Sequence, residues 1–192
     1  MIPSLILNAA IVLIMIGCLV WGLIKARPRR RLFYYFTTLS NVLCAIAALA
    51  VCITRLCGEL PFWALLLKYA GTAAVTVTML TVLLFLGPVS KDWKGLLSRA
   101  DLFLHLINPL LALVSFLFFE KTAMPAWTIA VGTAPVVLYA ILYWYKVIRA
   151  PEPRRWEDFY GFNRNGMWLV SGVAMLVGTS LICLAFWRVS GM

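Results

Sequence analysis

Six apolar runs, each long enough to cross a lipid bilayer, constrain this chain more than any other feature of its sequence. A transmembrane helix needs about 20 mostly apolar residues, because the hydrocarbon core of a bilayer is about 30 Å thick. The runs cover residues 2–24, 33–56, 62–86, 101–119, 126–145 and 166–187. They predict an all-α fold, in which residues 1–192 form a single bundle of six transmembrane helices.

The composition points to the same surroundings. Of the residues, 64% are hydrophobic and 12% are charged, whereas soluble domains are about 45–50% apolar and about 25% charged. We therefore expect an integral membrane protein whose partners are membrane lipids. The first run is not expected to be a cleaved signal peptide, because a basic cluster follows its apolar residues instead of preceding them.

The basic residues indicate how the helices are oriented. Most of the 17 Lys and Arg residues lie in the loops after the first, third and fifth runs: Lys25, Arg27, Arg29, Arg30, Arg31, Lys91, Lys94, Arg99, Lys146, Arg149, Arg154, Arg155 and Arg164. Short loops rich in Lys and Arg stay in the cytoplasm, so we expect both termini to lie outside. The other side keeps Arg55, Lys68, Lys121 and Arg188. This distribution is typical of topology signals and contact with anionic lipids, and no nucleic-acid partner is expected.

Polar side chains gather at one depth on the basic side of the predicted bundle. The stretch FYYFTTLSN, residues 33–41, follows the first basic cluster directly. At 1.5 Å per residue, Thr37 lies about 9 Å along the helix from Arg31, and His105 lies about 6 Å beyond Asp101. His105 is the only histidine in the chain. We therefore expect Thr37 and His105 to lie at similar depths, just below the cytoplasmic headgroups.

Helical spacing gives each of these two residues polar neighbours. Asn41 comes four residues after Thr37 and shares its helix face, while Ser40 flanks it. On the fourth helix, Asn108 comes three residues after His105. Hydrocarbon offers such groups no water, so we expect them to face one another around a cavity.

Two further features bring polar groups to the same level. Pro109 lacks an N–H group and so frees the carbonyl of His105, four residues before it. The loop before the sixth run, WEDFYGFNRNG, contributes Glu157, Asp158, Tyr160 and Asn163. Either Asp101, one turn from His105, or Asp158, reaching in from this loop, could orient the imidazole, and the sequence leaves that choice open.

A hydroxyl beside an imidazole is the minimum for nucleophilic acyl transfer. In this interpretation, Thr37 is the nucleophile, and His105 takes its proton and returns it to the leaving alcohol. The candidates for contact with the oxyanion or the substrate are Asn41, Asn108 and Ser40. One histidine and scattered carboxylates give no metal-binding pattern, and no phosphate-binding glycine motif is present, so neither a metal nor a cofactor is expected.

The same residues also allow non-catalytic interpretations. A single histidine near a membrane interface can serve as a helix-packing group, and Asn41 can hold two helices together through hydrogen bonds. A second class of function is a small transporter, channel or lipid-binding scaffold. Such a protein would be expected to have interrupted helices near the middle of the membrane. A purely structural subunit would have Thr37 and His105 facing different neighbours.

The segment YFTTLSN, with LHLINPLLAL later in the chain, resembles the androgen-induced and androgen-dependent-TFPI-regulating proteins and their bacterial relatives. These are small membrane proteins with several spans, and the animal members are threonine hydrolases that cleave fatty acid esters of hydroxy fatty acids. The resemblance implies a catalytic threonine near the start of the second span and a catalytic histidine early in a later one. Those positions match Thr37, in F-T-x-x-S-N, and His105, in H-L-I-N-P.

The sequence also departs from that family's pattern. Thr38 stands next to Thr37, so either hydroxyl could be the nucleophile, and the segment DFYGFN lacks the proline of the animal proteins. A related membrane family uses cysteine and histidine for acyl transfer between lipids, and Cys44 is the cysteine nearest the depth of His105. The resulting prediction is a hydrolase of lipid esters in a bacterial cytoplasmic membrane, with a lipid acyltransferase as the alternative.

Overall fold

Six long helices make up most of the computed structural model, which describes residues 1–26 and 28–191. They are α1, Ile2–Lys25; α2, Phe36–Leu56; α3, Phe62–Ser90; α4, Ala100–Glu120; α5, Thr128–Arg149; and α6, Trp168–Ser190. Each is long and apolar enough to cross a membrane, and the described residues include no strand. The prediction of an all-α, six-span, multi-pass membrane protein is confirmed. Arg27, one of the basic residues counted above, lies outside the described residues.

Most helix ends lie within two residues of the predicted bounds; the larger differences are at the start of α2, the ends of α3 and α5, and the end of α6. α3 ends at Ser90 rather than at residue 86, and α6 ends at Ser190 rather than at residue 187. α2 begins at Phe36 rather than at residue 33, because Arg29–Tyr34 forms a 3₁₀ turn. The predicted depth of Thr37 assumed α-helix throughout and was therefore approximate. α5 continues past residue 145 to Arg149, because amphipathic side chains can keep their charges at the interface. The Arg149 guanidinium, for example, lies 5.9 Å from the centre of the Trp144 ring.

α3 is the central helix of the bundle. It packs against α2, α4, α5 and α6. α1 packs against α2 and α4. Small residues allow this, as at Gly71, where an added Cβ would lie 3.0 Å from the Cα atom of Cys44 on α2. Close backbone approach through small residues is the usual basis of helix packing in membranes.

The first turns of α4 are widened into a π-helix at Phe103–Ile107. The N–H group of Asn108 bonds the carbonyl of Phe103, five residues back. The prediction that Pro109 frees the carbonyl of His105 assumed α-helical spacing of four residues. With the π-helical spacing of five, the carbonyl that Pro109 leaves without a donor is that of Leu104. Single π turns of this kind are frequent at functional sites.

The loop between α3 and α4 folds back onto the end of α3. It contains the short helix Trp93–Leu96, whose N-terminus is capped by the Asp92 carboxylate, 2.9 Å from the N–H group of Gly95. The Trp93 ring packs so closely on Gly87 that a Cβ there would lie 2.2 Å from it. These contacts fix the position of Leu96 above the start of α4.

Candidate active site

Thr37 and His105 meet between α2 and α4 on the basic side of the bundle, where both helices begin. Thr37 Oγ1 lies 3.4 Å from His105 Nε2. The imidazole is buried, with 8% of the residue exposed, while Thr37 is half-buried. This distance is long for a hydrogen bond, although such pairs often tighten only when substrate binds.

The other ring nitrogen of His105 is held by the loop after α3. His105 Nδ1 lies 2.7 Å from the backbone carbonyl of Leu96. A carbonyl can only accept, so Nδ1 carries the hydrogen, and in the neutral ring Nε2 presents its lone pair to Thr37. The group that orients the imidazole is therefore a main-chain carbonyl rather than Asp101 or Asp158.

Two buried asparagines support the backbone behind this pair. Asn41 Nδ2 donates to the carbonyl of Thr37 at 2.8 Å and to that of Leu104 at 3.0 Å. The second of these is the carbonyl released by the π turn. Asn108 Nδ2 donates to Asn41 Oδ1 at 3.0 Å. Both amide hydrogens of Asn41 are thus directed to carbonyls, so the side chain fixes the position of Thr37 instead of pointing at its hydroxyl.

Ser40 completes the group on α2. Its hydroxyl donates to the carbonyl of Thr37 at 3.1 Å and lies 2.8 Å from the hydroxyl of Thr78 on α3. We refer to Thr37, Ser40, Asn41, His105 and Asn108 as the Thr37–His105 cluster.

The remaining candidates from the second and fourth runs lie apart from the imidazole contacts. Thr38 is buried, and no hydrogen bond joins its hydroxyl to His105 in the described structure. Asp101 is exposed, and among the described contacts it makes none with the imidazole. Of the two adjacent threonines, Thr37 is the one beside the histidine.

The loop before α6 closes over the same region. The Asp158 carboxylate accepts from the N–H groups of Phe162 at 3.0 Å and Asn163 at 2.9 Å, and from the Tyr143 hydroxyl at 2.7 Å. Asp158 thereby stabilises the fold of the loop.

This fold places the phenol of Tyr160 beside the start of α2. Its oxygen accepts a hydrogen bond from the N–H group of Phe36 at 2.9 Å. Burial raises the pKa of the Tyr160 phenol, an effect that hydrogen bonds involving Phe36, Tyr139 and Thr37 offset in part. The phenol is therefore protonated at neutral pH and keeps a hydrogen to donate.

An apolar cavity of about 380 Å³ adjoins Thr37. It lies between α3, α5 and α6, and many of its lining residues are exposed on the outer surface of the bundle. Thr37, Tyr160 and Asn163 are among the few polar residues that line it. Thr37 consequently lies between the cavity on one side and His105 on the other.

A second polar group, which the sequence did not lead us to expect, lies at the opposite side of the bundle. Lys68 Nζ on α3 lies 3.4 Å from Glu120 Oε2 on α4, with both side chains fully buried. Glu120 Oε1 accepts from Ser4 at 2.7 Å, from Ser115 at 2.6 Å and also from Asn8. Lys68 in turn donates to Asn8 Oδ1 at 2.6 Å. We refer to these five residues as the Lys68–Glu120 cluster.

Two sequence signals could have pointed to this cluster. Lys68 lies inside the third apolar run, where a charge needs a partner. Ser4 and Asn8 are spaced by four residues, which puts both on one face of α1. From the sequence, Lys68 was instead assigned to the side of the membrane that carries fewer basic residues.

Among the described residues, no group of three His, Cys, Asp or Glu side chains is placed to hold a metal ion. No family model matches this chain, and comparisons with curated proteins and with solved structures also return no match. The resemblance given by the YFTTLSN and LHLINPLLAL segments therefore remains a prediction based on those motifs.

Proposed function

We propose that this protein is an intramembrane hydrolase of lipid esters with Thr37 as nucleophile and His105 as general base. The observation that carries the proposal is the contact of 3.4 Å between Thr37 Oγ1 and His105 Nε2 at the wall of an apolar cavity. The orientation of the imidazole supports it, because the Leu96 carbonyl fixes the hydrogen on Nδ1.

The reaction proceeds in two halves. His105 Nε2 takes the proton of Thr37 as Oγ1 attacks the ester carbonyl, and the imidazolium then gives that proton to the leaving alkoxide. Water, activated by the same imidazole, hydrolyses the threonine ester and releases the fatty acid. Throughout, the Leu96 carbonyl accepts the Nδ1–H group and stabilises the positive charge that develops on the ring.

The tetrahedral intermediate needs a hydrogen-bond donor on the cavity side of Thr37. Tyr160 is suited to this role, because its protonated phenol lies next to Thr37 and lines the same cavity. The amide hydrogens of Asn41 bond two carbonyls, so its contribution is to hold the nucleophile in place. Asn108 acts through Asn41.

The cavity suits an acyl chain. Apolar residues from α3, α5 and α6 line it, among them Leu86, Val137 and Leu176, and they would contact the chain while its ester group reaches Thr37. Fatty acid esters of hydroxy fatty acids, or similar acyl lipids, have this combination of a long chain and an ester. We place the protein in a bacterial cytoplasmic membrane with the site facing the cytoplasmic leaflet, as the distribution of basic residues favours.

The test is intact-mass analysis of the purified protein after treatment with a fluorophosphonate, which phosphonylates activated hydroxyls. Wild type is compared with Thr37→Ala, Thr38→Ala and His105→Ala. We expect one adduct on wild type and on Thr38→Ala, and none on Thr37→Ala or His105→Ala. An adduct lost only in Thr38→Ala would overturn the assignment of Thr37, and a folded wild type without any adduct would overturn the activated nucleophile itself.

A second assay separates hydrolysis from acyl transfer. Products from a fatty acid ester of a hydroxy fatty acid are measured by mass spectrometry, with and without a lysophospholipid acceptor. Hydrolysis predicts free fatty acid at a rate that the acceptor leaves unchanged. Acylated acceptor formed in place of fatty acid would identify an acyltransferase using the same two residues.

A further inference from the structure

A second groove, separate from the cavity beside Thr37, runs between α1 and α4 on the basic side of the bundle. Its volume is about 710 Å³, which is within the usual range of about 300–1,000 Å³ for ligand pockets. One wall is formed by residues of α1 and the other by the start of α4. Its lining residues are Ile14, Gly17, Cys18, Trp21, Lys25, Arg99, Ala100 and Phe103.

The shape of the groove follows from the sequence of α1. Ile14, Cys18, Trp21 and Lys25 are spaced by three or four residues and so form one stripe along the helix. Gly17 borders that stripe, and a Cβ added there would find no atom within 4 Å. The glycine therefore leaves an open notch between the two helices, bounded by apolar side chains for most of its length.

Two cations stand at the headgroup end of this apolar groove. Lys25 is the last residue of α1, and its Nζ atom lies 5.2 Å from the centre of the Trp21 ring. Arg99 immediately precedes α4 and has φ 52° and ψ −127°, a backbone conformation that is costly for a residue with a side chain. Both side chains line the groove.

Neither cation forms an ion pair with any residue that the structure describes. The ion pairs within the described residues are Lys68–Glu120 and Arg155–Glu152. Asp101, the carboxylate nearest to Arg99 along the chain, is exposed and forms no ion pair in the described structure. No carboxylate lines the groove, so its charged end is complementary to an anion.

We infer that this groove binds one anionic phospholipid, with the lipid phosphate between Lys25 and Arg99 and an acyl chain along Ile14, Gly17 and Phe103. A membrane lipid is the occupant that combines an anionic group at headgroup depth with an apolar chain pointing into the bilayer. Basic pockets between transmembrane helices bind acidic lipid headgroups in this way. The inference does not involve Thr37 or His105 and is independent of the proposed hydrolase activity.

The test is native mass spectrometry of the full-length protein, purified in a neutral detergent. Equimolar phosphatidylglycerol and phosphatidylcholine with identical acyl chains are added, and the bound fraction of each is measured. We expect one phosphatidylglycerol to be retained in clear excess over phosphatidylcholine. Each cation contributes about fivefold to the affinity for an anionic headgroup, so Lys25→Gln with Arg99→Gln should weaken binding by about 25-fold.

Two further variants separate the groove from general electrostatic attraction. Gly17→Leu fills the notch while leaving both cations in place, and it should abolish the retained phosphatidylglycerol. The matched control is Arg154→Gln with Arg164→Gln, which removes two exposed charges from the basic side away from the groove and should bind as wild type does. Thermal unfolding of each variant confirms that it is folded.

Three results would overturn the inference. They are equal retention of the two lipids by wild type, equal loss in the control and in the Lys25→Gln, Arg99→Gln protein, and normal binding by Gly17→Leu. Inorganic phosphate at millimolar concentration provides a further check. We expect it to leave the bound lipid in place, and complete displacement would mean that the cations form a phosphate site without the groove.

Discussion

The Thr37–His105 cluster and the Lys68–Glu120 cluster lie at opposite sides of the same bundle and both consist of polar side chains. They differ in their hydrogen bonds and in whether a cavity reaches them. In the Lys68–Glu120 cluster, the carboxylate accepts three hydrogen bonds and lies against a buried ammonium group. In the Thr37–His105 cluster, the hydroxyl and the imidazole share one long contact, and Thr37 lines a cavity.

This difference indicates which of the two clusters can react with a substrate. A fully buried ion pair enclosed by its neighbours is out of reach of a substrate, and removing one of its two partners is costly. A threonine whose backbone is held from behind and which lines a cavity is accessible to a substrate. Asn41 and Ser40 provide that support by bonding the carbonyl of Thr37.

The largest expected effect comes from Thr37→Ala, which should lower the rate of ester hydrolysis about 10⁴-fold or more. His105→Ala should lower it about 10²- to 10⁴-fold, because the general base is lost. Both should unfold at nearly the wild-type temperature. Initial rates in liposomes and thermal unfolding followed by tryptophan fluorescence check this. The control is Thr76→Ala, whose hydroxyl bonds only a carbonyl of its own helix at 2.8 Å. A control that is equally inactive would contradict the role of Thr37.

Lys68→Ala should show the opposite pattern. Leaving Glu120 buried without its cation should lower the free energy of unfolding by about 3–5 kcal/mol, while the activity of the molecules that remain folded stays within about tenfold of wild type. Adding Glu120→Gln to Lys68→Met removes both charges and should restore more than half of the loss. Chemical unfolding in detergent measures this, with the neighbouring exposed Lys121→Ala as the control. A stable but inactive Lys68→Ala protein would show that the cluster serves the reaction.

Asn41→Ala should give the smallest effect, and it should lower both activity and stability. Asn41 belongs to the Thr37–His105 cluster, but it is fully buried and hydrogen-bonded. The substitution removes the donor of the buried Leu104 carbonyl and the acceptor of the Asn108 amide, at a cost of about 1–3 kcal/mol in unfolding free energy. The Thr37 carbonyl keeps its hydrogen bond from Ser40. Activity should fall because Thr37 is less firmly held. Rates and unfolding measured on the same preparation would show whether both decline. If activity falls about 10⁴-fold with no change in stability, Asn41 contacts the reacting atoms directly.

The six helices could be predicted from the sequence because hydrocarbon forces every backbone group to bond within its own helix. Long apolar runs are therefore sufficient to find the spans. Their ends were less predictable, because residues near an interface can continue a helix or leave it at little cost. The 3₁₀ turn at Arg29–Tyr34 is one example, and the extension of α5 to Arg149 is another.

The proximity of Thr37 and His105 could also be predicted, since two helices that start on one side bring residues of equal depth together. The orienting group of His105 could not, because any residue has a backbone carbonyl and Leu96 carries no polar signal. The pairing of Lys68 with Glu120 was missed for a different reason. The two residues lie in different runs, and only the packing of α3 against α4 brings them into contact.

The Lys68–Glu120 pair also imposes an order on the synthesis of the protein. When α3 leaves the ribosome, the Lys68 cation has no partner, which costs at most about 3 kcal/mol on insertion. Glu120 is made only when α4 is complete. Ser4 and Asn8 on α1 have been made long before. α3 therefore gains its full stability in the bilayer only after α4 has joined it and α1, so the stability of the third helix depends on the fourth.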